Sequence, residues 1–562
     1  MSCSQESDSL AATNQLLEGR TVVCKSGAVA TGPVEAARVG ASALAAGGNA
    51  MDAAAATALA CAVLEPESVD LGGYVFSAVV RPATSDQVWS VDANAVAPQQ
   101  AHADMFKVLP PRSDSIGINE AEYVCSVAEE ANVYGPLAVS VPGFIAGVGT
   151  LWERWGKLRW QEIVAPSEEL LDDGFPYGPT AAAIRRRVGV LQRFGPTAQH
   201  LMPEGSLPKS DNVWHRPGLE TTLHRLSLHG WQEFYSGELG CEIARYVQEA
   251  GGILTAEDMA NYAPLVERAY STTFRGNSVF GSLLPTGALT SLQILNMLDC
   301  FPPSVADDTA GYWHRLAEIM KLAWHDRLSY LADPHFESVP VERLLDKAYA
   351  RGRTETLRQF PDSIDLLDSK AALHAPHGTI HISAADHQGN LVSATISQGN
   401  PFGSCVTMPG TGIILGHGMC RFDPRPGHHN SIAGGKRPLS NVSPLIITLL
   451  DRDIALGTRG GRPIINVCAQ LAHRFVDGLA STSEILKAPR LNVYTREPLE
   501  FIEFDFTENA PQHIVDGLTS MGHTVRRKRE QVEGAGAAHC VEIIKPENNV
   551  CASGNTWAAG VG

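Results

Sequence analysis

The stretch Gly378-Thr379-Ile380-His381-Ile382-Ser383-Ala384-Ala385-Asp386 holds the residue with the most chemistry to offer. A small glycine precedes a threonine that opens an alternating strand, well into the second half of the chain. A cut between Gly378 and Thr379 would expose a new N-terminal threonine, which carries nucleophile and base in one residue. The hydroxyl attacks, and the freed α-amine takes its proton. A free α-amine has a pKa of about 7.7–8.0 and is a usable base near neutral pH. A threonine at the head of a strand needs no such role, so its surroundings decide.

Other chemistries lack their residues. There is no G-x-S-x-G elbow and no G-x-G-x-x-G loop, which removes the common serine-hydrolase and dinucleotide readings. His428-His429 follows Pro426-Gly427 without Cys or Asp at ligand spacing, so solvated loop histidines are expected and no metal is assigned. The 11 cysteines are scattered and form no C-x-x-C pair. A net charge of −17 and a pI of about 5.6 argue against a nucleic-acid or anionic-membrane partner, which needs clustered Lys and Arg. Hydrophobic content of 44% and charged content of 19% fit a soluble globular chain. Met1 to Gly19 has acids, no basic start and no apolar run, so no secretory signal is read. The apolar run from Ala53 to Leu64 is too short to span a bilayer, and a cytoplasmic location is expected.

The elements that must position Thr379 follow from pattern. Thr379–Ala385 and Leu391–Ser397 alternate around Asp386-His387-Gln388-Gly389-Asn390, which predicts a hairpin. The polar residues 361–378, broken by Pro376 and Gly378, read as a loop leading into it. In the first half, residues 22–35 read as a strand and turn. Helices are expected over Pro33–Ala46, stopped by Gly47-Gly48, and over Ala50–Leu64, alanine-rich and buried on most faces. Strands are expected at Val75–Val80 and Gln87–Asp92. Helices follow at Phe144–Trp155, Trp160–Asp172, Leu219–His229, Gly240–Ala250 and Thr309–Leu331, interrupted by one strand at Phe274–Ser282. In the second half, strands are expected at Ile413–Leu415, Leu445–Leu450, Ile454–Gly457, Phe501–Phe504, Thr524–Lys528 and Val541–Ile544. Helices are expected at Ile464–Leu479 and Ser483–Lys487. Strands and helices in both halves predict an α+β fold with helix-covered sheets.

Several motifs then identify a family. Gly47-Gly48-Asn49-Ala50-Met51-Asp52-Ala53-Ala54 resembles the GGNAxDAA signature of the γ-glutamyltranspeptidase family. So do Val63-Leu64-Glu65-Pro66, Leu71-Gly72-Gly73, Ala138-Val139-Ser140-Val141-Pro142-Gly143, Asp173-Gly174-Phe175-Pro176, Gly251-Gly252-Ile253-Leu254-Thr255, Asp326-Arg327, Lys436-Arg437-Pro438-Leu439-Ser440 and Gly460-Gly461. They run in family order over roughly residues 21 to 556. The resemblance implies a four-layer αββα N-terminal-nucleophile hydrolase made as a precursor. It would cut itself before Thr379 into a large fragment, 1–378, and a small one, 379–562, that stay intertwined. No cofactor is implied, and a homodimer of processed protomers is left open.

By the same resemblance, Thr379 is the nucleophile and Ser397 stands for the threonine that hydrogen-bonds its α-amine. Gly460 and Gly461 supply oxyanion-hole N–H groups. Ser440 matches one of two hydroxyls that hold a substrate carboxylate, and Asn441 replaces the other. Two departures stand out. The arginine of the family's D-x-R-E-x-A-P stretch, which grips that carboxylate, is Asn94 here. The aspartate of its N-N-x-M-D-D-F stretch, which grips the α-amino group, is Arg421, and an asparagine two residues past Ser397 has become Gly399. A buried ammonium facing a guanidinium costs several kcal/mol. The expected substrate is therefore a small amide whose acyl part lacks the α-ammonium and carries a carboxylate for Arg421. The competing role for Arg421 is a salt bridge to Asp423. Hydrolysis through an acyl-enzyme is expected first; the readings left open are acyl transfer to an amine acceptor, a cephalosporin- or glutaryl-type acylase, a C–C bond hydrolase of the same family, and an uncleaved, non-catalytic binding protein.

Overall fold

Gly47 adopts a φ of 94°, which ends one helix, and two residues later Asn49 starts the next. The Asn49 side chain accepts from the N–H groups of Met51 (2.9 Å) and Asp52 (3.1 Å), and the Asp52 carboxylate accepts from the Asn49 N–H at 2.9 Å. This reciprocal cap sets helix α2 (Ala50–Leu64) against α1 (Val34–Ala45), and every residue of α2 is buried. Alanine at seven of its first eleven positions lets neighbouring backbones approach closely enough for that.

The computed structural model describes residues 16–110, 125–303, 309–355, 357, 378–478, 481–496, 499–505, 511–527 and 536–562. The expected lead-in loop, residues 361–377, lies outside them. The main sheet has 13 strands: β1 (Leu16–Cys24), β2 (Gly27–Thr31), β3 (Val75–Arg81), β4 (Trp89–Asn94), β5 (Leu265–Arg268), β6 (Tyr270–Phe274), β7 (Asn277–Gly281), β8 (Gly378–Asp386), β9 (Leu391–Gly399), β10 (Leu445–Thr448), β11 (Arg452–Thr458), β12 (Ala538–Ile544) and β13 (Asn549–Val561). Their order is β6-β7-β10-β11-β12-β13-β2-β8-β9-β3-β4-β5, with β1 on the far side of β13.

One long strand joins the two halves of this ladder. The first part of β13 pairs with β12 and its last five residues pair with β2. The halves then face one another: Ala28, Ala30, Val79, Ala385 and Leu391 pack with Ile446, Ala455, Val541, Ile543 and Ala552. Because side chains alternate along a strand, the next residues along point outward. Ile380, Ile382 and Ala384 pack among α2, α3 (Phe144–Trp155) and α4 (Trp160–Asp173). Leu445, Ile447, Ile454 and Leu456 pack among α5 (Ala288–Leu298), α6 (Ala310–Tyr330) and α7 (Pro463–Asp477).

Two differences from the sequence expectations have clear causes. Phe274–Ser282 is not one strand: Arg275 and Gly276 take positive φ angles (51° and 80°), the backbone of a tight hairpin turn, and split it into β6 and β7. And β13, rich in Gly and Ala, has little alternation of its own; three partner strands make it a strand. No helix among the described residues is long and apolar enough to cross a membrane.

The hairpin β8–β9 is held at both ends. At its turn, the Asp386 carboxylate accepts from the N–H groups of Gln388 (2.9 Å), Asn390 (3.2 Å) and Ala50 (2.9 Å), the last being the first residue of α2. A carboxylate at a helix N-terminus is favourably placed against the helix dipole. Near its open end, the wholly buried pair Asp70–Arg216 ties the segment after α2 to the chain at Gly412 and Ile414. The Gln398 N–H reaches the Ser68 carbonyl of that same segment at 2.8 Å.

Candidate active site

Thr379 and Ser397 are directly opposed across the hairpin, so their side chains share a face. The two hydroxyl oxygens are 3.1 Å apart. Ser397 Oγ accepts from the Gly399 N–H at 2.9 Å and donates to the Gly378 carbonyl at 2.5 Å. With its own proton committed to that carbonyl, Ser397 accepts from Thr379 Oγ1–H. The chain of hydrogen bonds therefore runs from the Thr379 hydroxyl through Ser397 to the carbonyl of the peptide bond that precedes Thr379. Thr379 is 5% exposed. A Cβ at Gly378 would lie 2.4 Å from the Glu67 carbonyl oxygen, so only glycine fits before that bond. Burial, and then the neighbouring Glu65 carboxylate, push the Glu67 carboxyl up from its usual range.

The inner face beneath Thr379 is polar. His381, two residues along, hydrogen-bonds Thr395 Oγ1 (2.9 Å) and Ser383 Oγ (3.0 Å). Gly457 on β11 makes room for the imidazole, since a Cβ there would lie 2.2 Å from it. Burial holds His381 well below the usual histidine range, so the ring is neutral.

Gly460 and Gly461 follow β11 and lead into α7, with φ angles of 125° and 66° that favour glycine. The preceding Arg459 anchors this turn: its guanidinium donates to Ser68 Oγ (3.0 Å) and Glu65 Oε2 (3.4 Å). N–H groups at a helix N-terminus suit a developing negative charge.

The remaining expected site residues fall into two sets. Ser440 and Arg421 meet at Tyr74, which sequence reading missed. Tyr74 Oη is 3.3 Å from Ser440 Oγ, the Arg421 guanidinium stands 5.6 Å from the Tyr74 ring centre, and the Tyr74 N–H donates to the Ser397 carbonyl at 3.1 Å. Tyr74 thus links the expected anchors to the strand that carries Ser397. Its only sequence signal is its place after Gly72-Gly73. Asp423, the competing partner for Arg421, is gripped by Arg425 at 2.9 and 2.8 Å.

Asn441 and Asn94 sit in protein contacts. Asn441 Oδ1 accepts from the buried Arg327 at 3.2 Å. Asn94 lies in the same cross-strand row as Thr379, through Ser397 and Val75, three strand spacings or about 14 Å away. Its amide donates to the Pro438 carbonyl at 2.8 Å and accepts from the Ala95 N–H at 3.0 Å.

Two further neighbours escaped the sequence. The His417 ring fills the space that a side chain at Gly399 would need, with Nε2 only 2.1 Å from that Cβ position. Nε2 accepts from the Asn400 N–H at 2.8 Å, and Nδ1 is 3.2 Å from the Val133 carbonyl. Burial, followed by Arg421, pushes His417 down to about 3, so the ring is neutral. Asn400, fully buried beside Gly378, has neither amide atom paired among the described residues. Unpaired buried amides are rare and mark places where a partner belongs. His428 and His429 are half-exposed, as expected of loop histidines.

The helix-covered sheet, with a buried hydroxyl pair at the head of its central hairpin, is the fold of the N-terminal-nucleophile hydrolases that the comparisons find. The family model described as Gamma-glutamyltranspeptidase matches residues 36–561, and the chain belongs to that family. It is 32% identical over 522 residues to an acylase ACY 1 proenzyme of Pseudomonas sp. (strain V22), covering 91% of this chain and 89% of that one. It is 30% identical over 518 residues to a glutathione hydrolase proenzyme of Pseudomonas aeruginosa, covering 89% and 88%. The crystal structure of a cephalosporin acylase from Bacillus halodurans superposes with a TM-score of 0.82 at 28% identity, covering 95% of each chain.

Proposed function

We propose that this enzyme is a self-processing amidohydrolase that acts through Thr379 on amides of carboxylate-bearing acyl groups. The observation that carries the reading is the placement of Ser397 Oγ between Thr379 Oγ1 (3.1 Å) and the Gly378 carbonyl (2.5 Å). In the intact chain, Thr379 Oγ1 attacks the Gly378 carbonyl carbon while the Ser397 hydroxyl polarises its oxygen. The Gly378–Thr379 C–N bond breaks, the nitrogen takes the hydroxyl proton, and an ester joins the fragments. Water then hydrolyses the ester, leaving a Gly378 carboxylate and a free Thr379 α-amine. The fragments, 1–378 and 379–562, remain interleaved in a four-layer αββα sandwich, because β8 lies between β2 and β9 and β13 closes against β1 and β2.

In turnover the α-amine replaces the lost peptide N–H and accepts the Thr379 hydroxyl proton as Oγ1 attacks the substrate carbonyl. Ser397 orients that amine. N–H groups of Gly460 and Gly461 hold the oxyanion, worth about 3–4 kcal/mol for one donor. The α-ammonium passes its proton to the leaving amine, and water then releases the acyl group from Thr379. Arg421, Ser440 and Tyr74 take the distal carboxylate of the acyl part. Asn94 and Asn441 shape this pocket through their protein contacts, and Asn400 offers an amide to a polar atom near the scissile carbonyl.

The relatives fit this reading, since two of the three are named acylases. The test is a panel of anilides on purified protein: glutaryl, adipyl, butyryl and γ-glutamyl. Hydrolysis of the dicarboxylic monoamides well above both butyryl and γ-glutamyl is the expected order. A preference for γ-glutamyl anilide would reject the role given to Arg421.

Ser397→Ala should slow self-cleavage roughly a hundredfold, the typical effect of losing one donor to a developing oxyanion. A time course of fragment appearance on a denaturing gel reads this directly, and a cleavage rate equal to the wild type would remove Ser397 from the mechanism.

A further inference from the structure

A cluster of ligand-type side chains lies away from the hairpin. His314 and Glu318 stand one turn apart on α6, on one helix face. His523 comes from the connection after α8 (Gln512–Ser520), 209 positions beyond His314. His314 Nδ1 and His523 Nε2 are 2.7 Å apart, and His523 Nδ1 is 3.9 Å from Glu318 Oε1. One donor atom from each of the three lies within 4.8 Å of the others. All are buried, at 1%, 3% and 5% exposure respectively. Lys321, one turn along α6, donates to Glu318 Oε1 at 2.8 Å.

Two imidazoles and a carboxylate form a donor set suited to zinc and similar borderline cations. Both histidines are buried, and burial favours the neutral imidazole, the form that ligates. At 2.7 Å one ring donates its N–H to the lone pair of the other. Both lone pairs can turn to one ion if one ring changes tautomer, with no net proton loss, and the nitrogens part by a few tenths of an ångström. Lys321 engages Glu318 Oε1, the oxygen that also lies 3.9 Å from His523 Nδ1, as an outer partner that orients a ligating carboxylate. Its ammonium also repels a cation, which lowers the affinity.

We propose that His314, Glu318 and His523 bind a zinc-type divalent cation that clamps the C-terminal segment around α8 onto helix α6. The clamp joins parts of the chain on opposite sides of the self-cleavage position, so one ion bridges the two fragments after cutting.

The test uses the full-length protein, freed of metal with a chelator and re-equilibrated with zinc. Metal content by mass spectrometry is expected at one zinc per chain. Thermal unfolding is expected to shift upward with zinc, and cobalt is expected to give the visible absorption of a four-coordinate site. His523→Ala should reduce zinc affinity by more than the roughly 10–100-fold that losing an outer partner costs, while self-cleavage persists. Should His523→Ala fail to fold, Lys321→Met decides: a metal site binds zinc more tightly without the ammonium. An ion-pair network without metal would instead lose stability and gain no zinc. Wild-type protein that holds no more zinc than a His314→Ala/His523→Ala double variant overturns the proposal.

Discussion

Thr379→Ala is expected to migrate as one 562-residue chain and to lose turnover by about 10⁴-fold or more. One atom is responsible for both losses. On the proposed mechanism Thr379 Oγ1, 3.1 Å from Ser397 Oγ, is the attacking group in the intact chain, and the α-amine that serves turnover exists only after that attack succeeds. Alanine removes the hydroxyl and, by blocking the cut, also withholds the amine. Thr379→Ser separates these effects, because it keeps the hydroxyl and the route to a free amine, so it should process and retain partial activity. Intact mass under denaturing conditions reads the first effect, and anilide release the second. The wild-type rate should rise with pH through the α-amine range of about 7.7–8.0, since only the deprotonated amine accepts a proton. An alanine variant that still splits at Thr379 would disprove the assignment.

Arg421→Ala is expected to lower kcat/KM on a glutaryl or adipyl anilide by two to three orders of magnitude, mostly through KM. Removing one partner of a buried, hydrogen-bonded charge pair costs about 2–5 kcal/mol. Arg421 is 8% exposed, in surroundings dry enough for that range to hold. Arg421→Lys should recover only part, because a point ammonium cannot reproduce the bidentate fork or the stacking on Tyr74. Butyryl anilide, which has no distal carboxylate, should be little affected and serves as the control. Equal losses on butyryl and glutaryl anilides would assign Arg421 a structural role instead.

Much of the scaffold was legible because its signals are local. The Gly47-Gly48 stop and the alanine-rich run after it mark α1 and α2 within about thirty positions, and the structure ends α2 at Leu64 as expected. The β8–β9 hairpin was legible for the same reason: a five-residue turn between two alternating runs specifies both register and face. Where the reading failed, the causes differ. The β6–β7 turn did carry a local signal in Gly276-Asn277, which the reading passed over, whereas β13 has too many small residues for its alternation to show.

By itself, the amino-acid sequence determined the family and the order of the main elements, which rest on residue identity and short-range periodicity; the place of Ser397 beside Thr379 and the charge reversal at Arg421 are what the family resemblance implied. Only the tertiary structure decided which distant groups meet. It placed the Ser397 hydroxyl on the Gly378 carbonyl, set Tyr74 between Ser440 and Arg421, and gave Asp423 to Arg425. It also put His417 into the space beside Gly399 and brought His523 to His314 across 209 positions. Such contacts depend on how sheet halves and helices close on one another. That closure is driven by burial of apolar area, which is non-directional and leaves no fixed spacing in the chain.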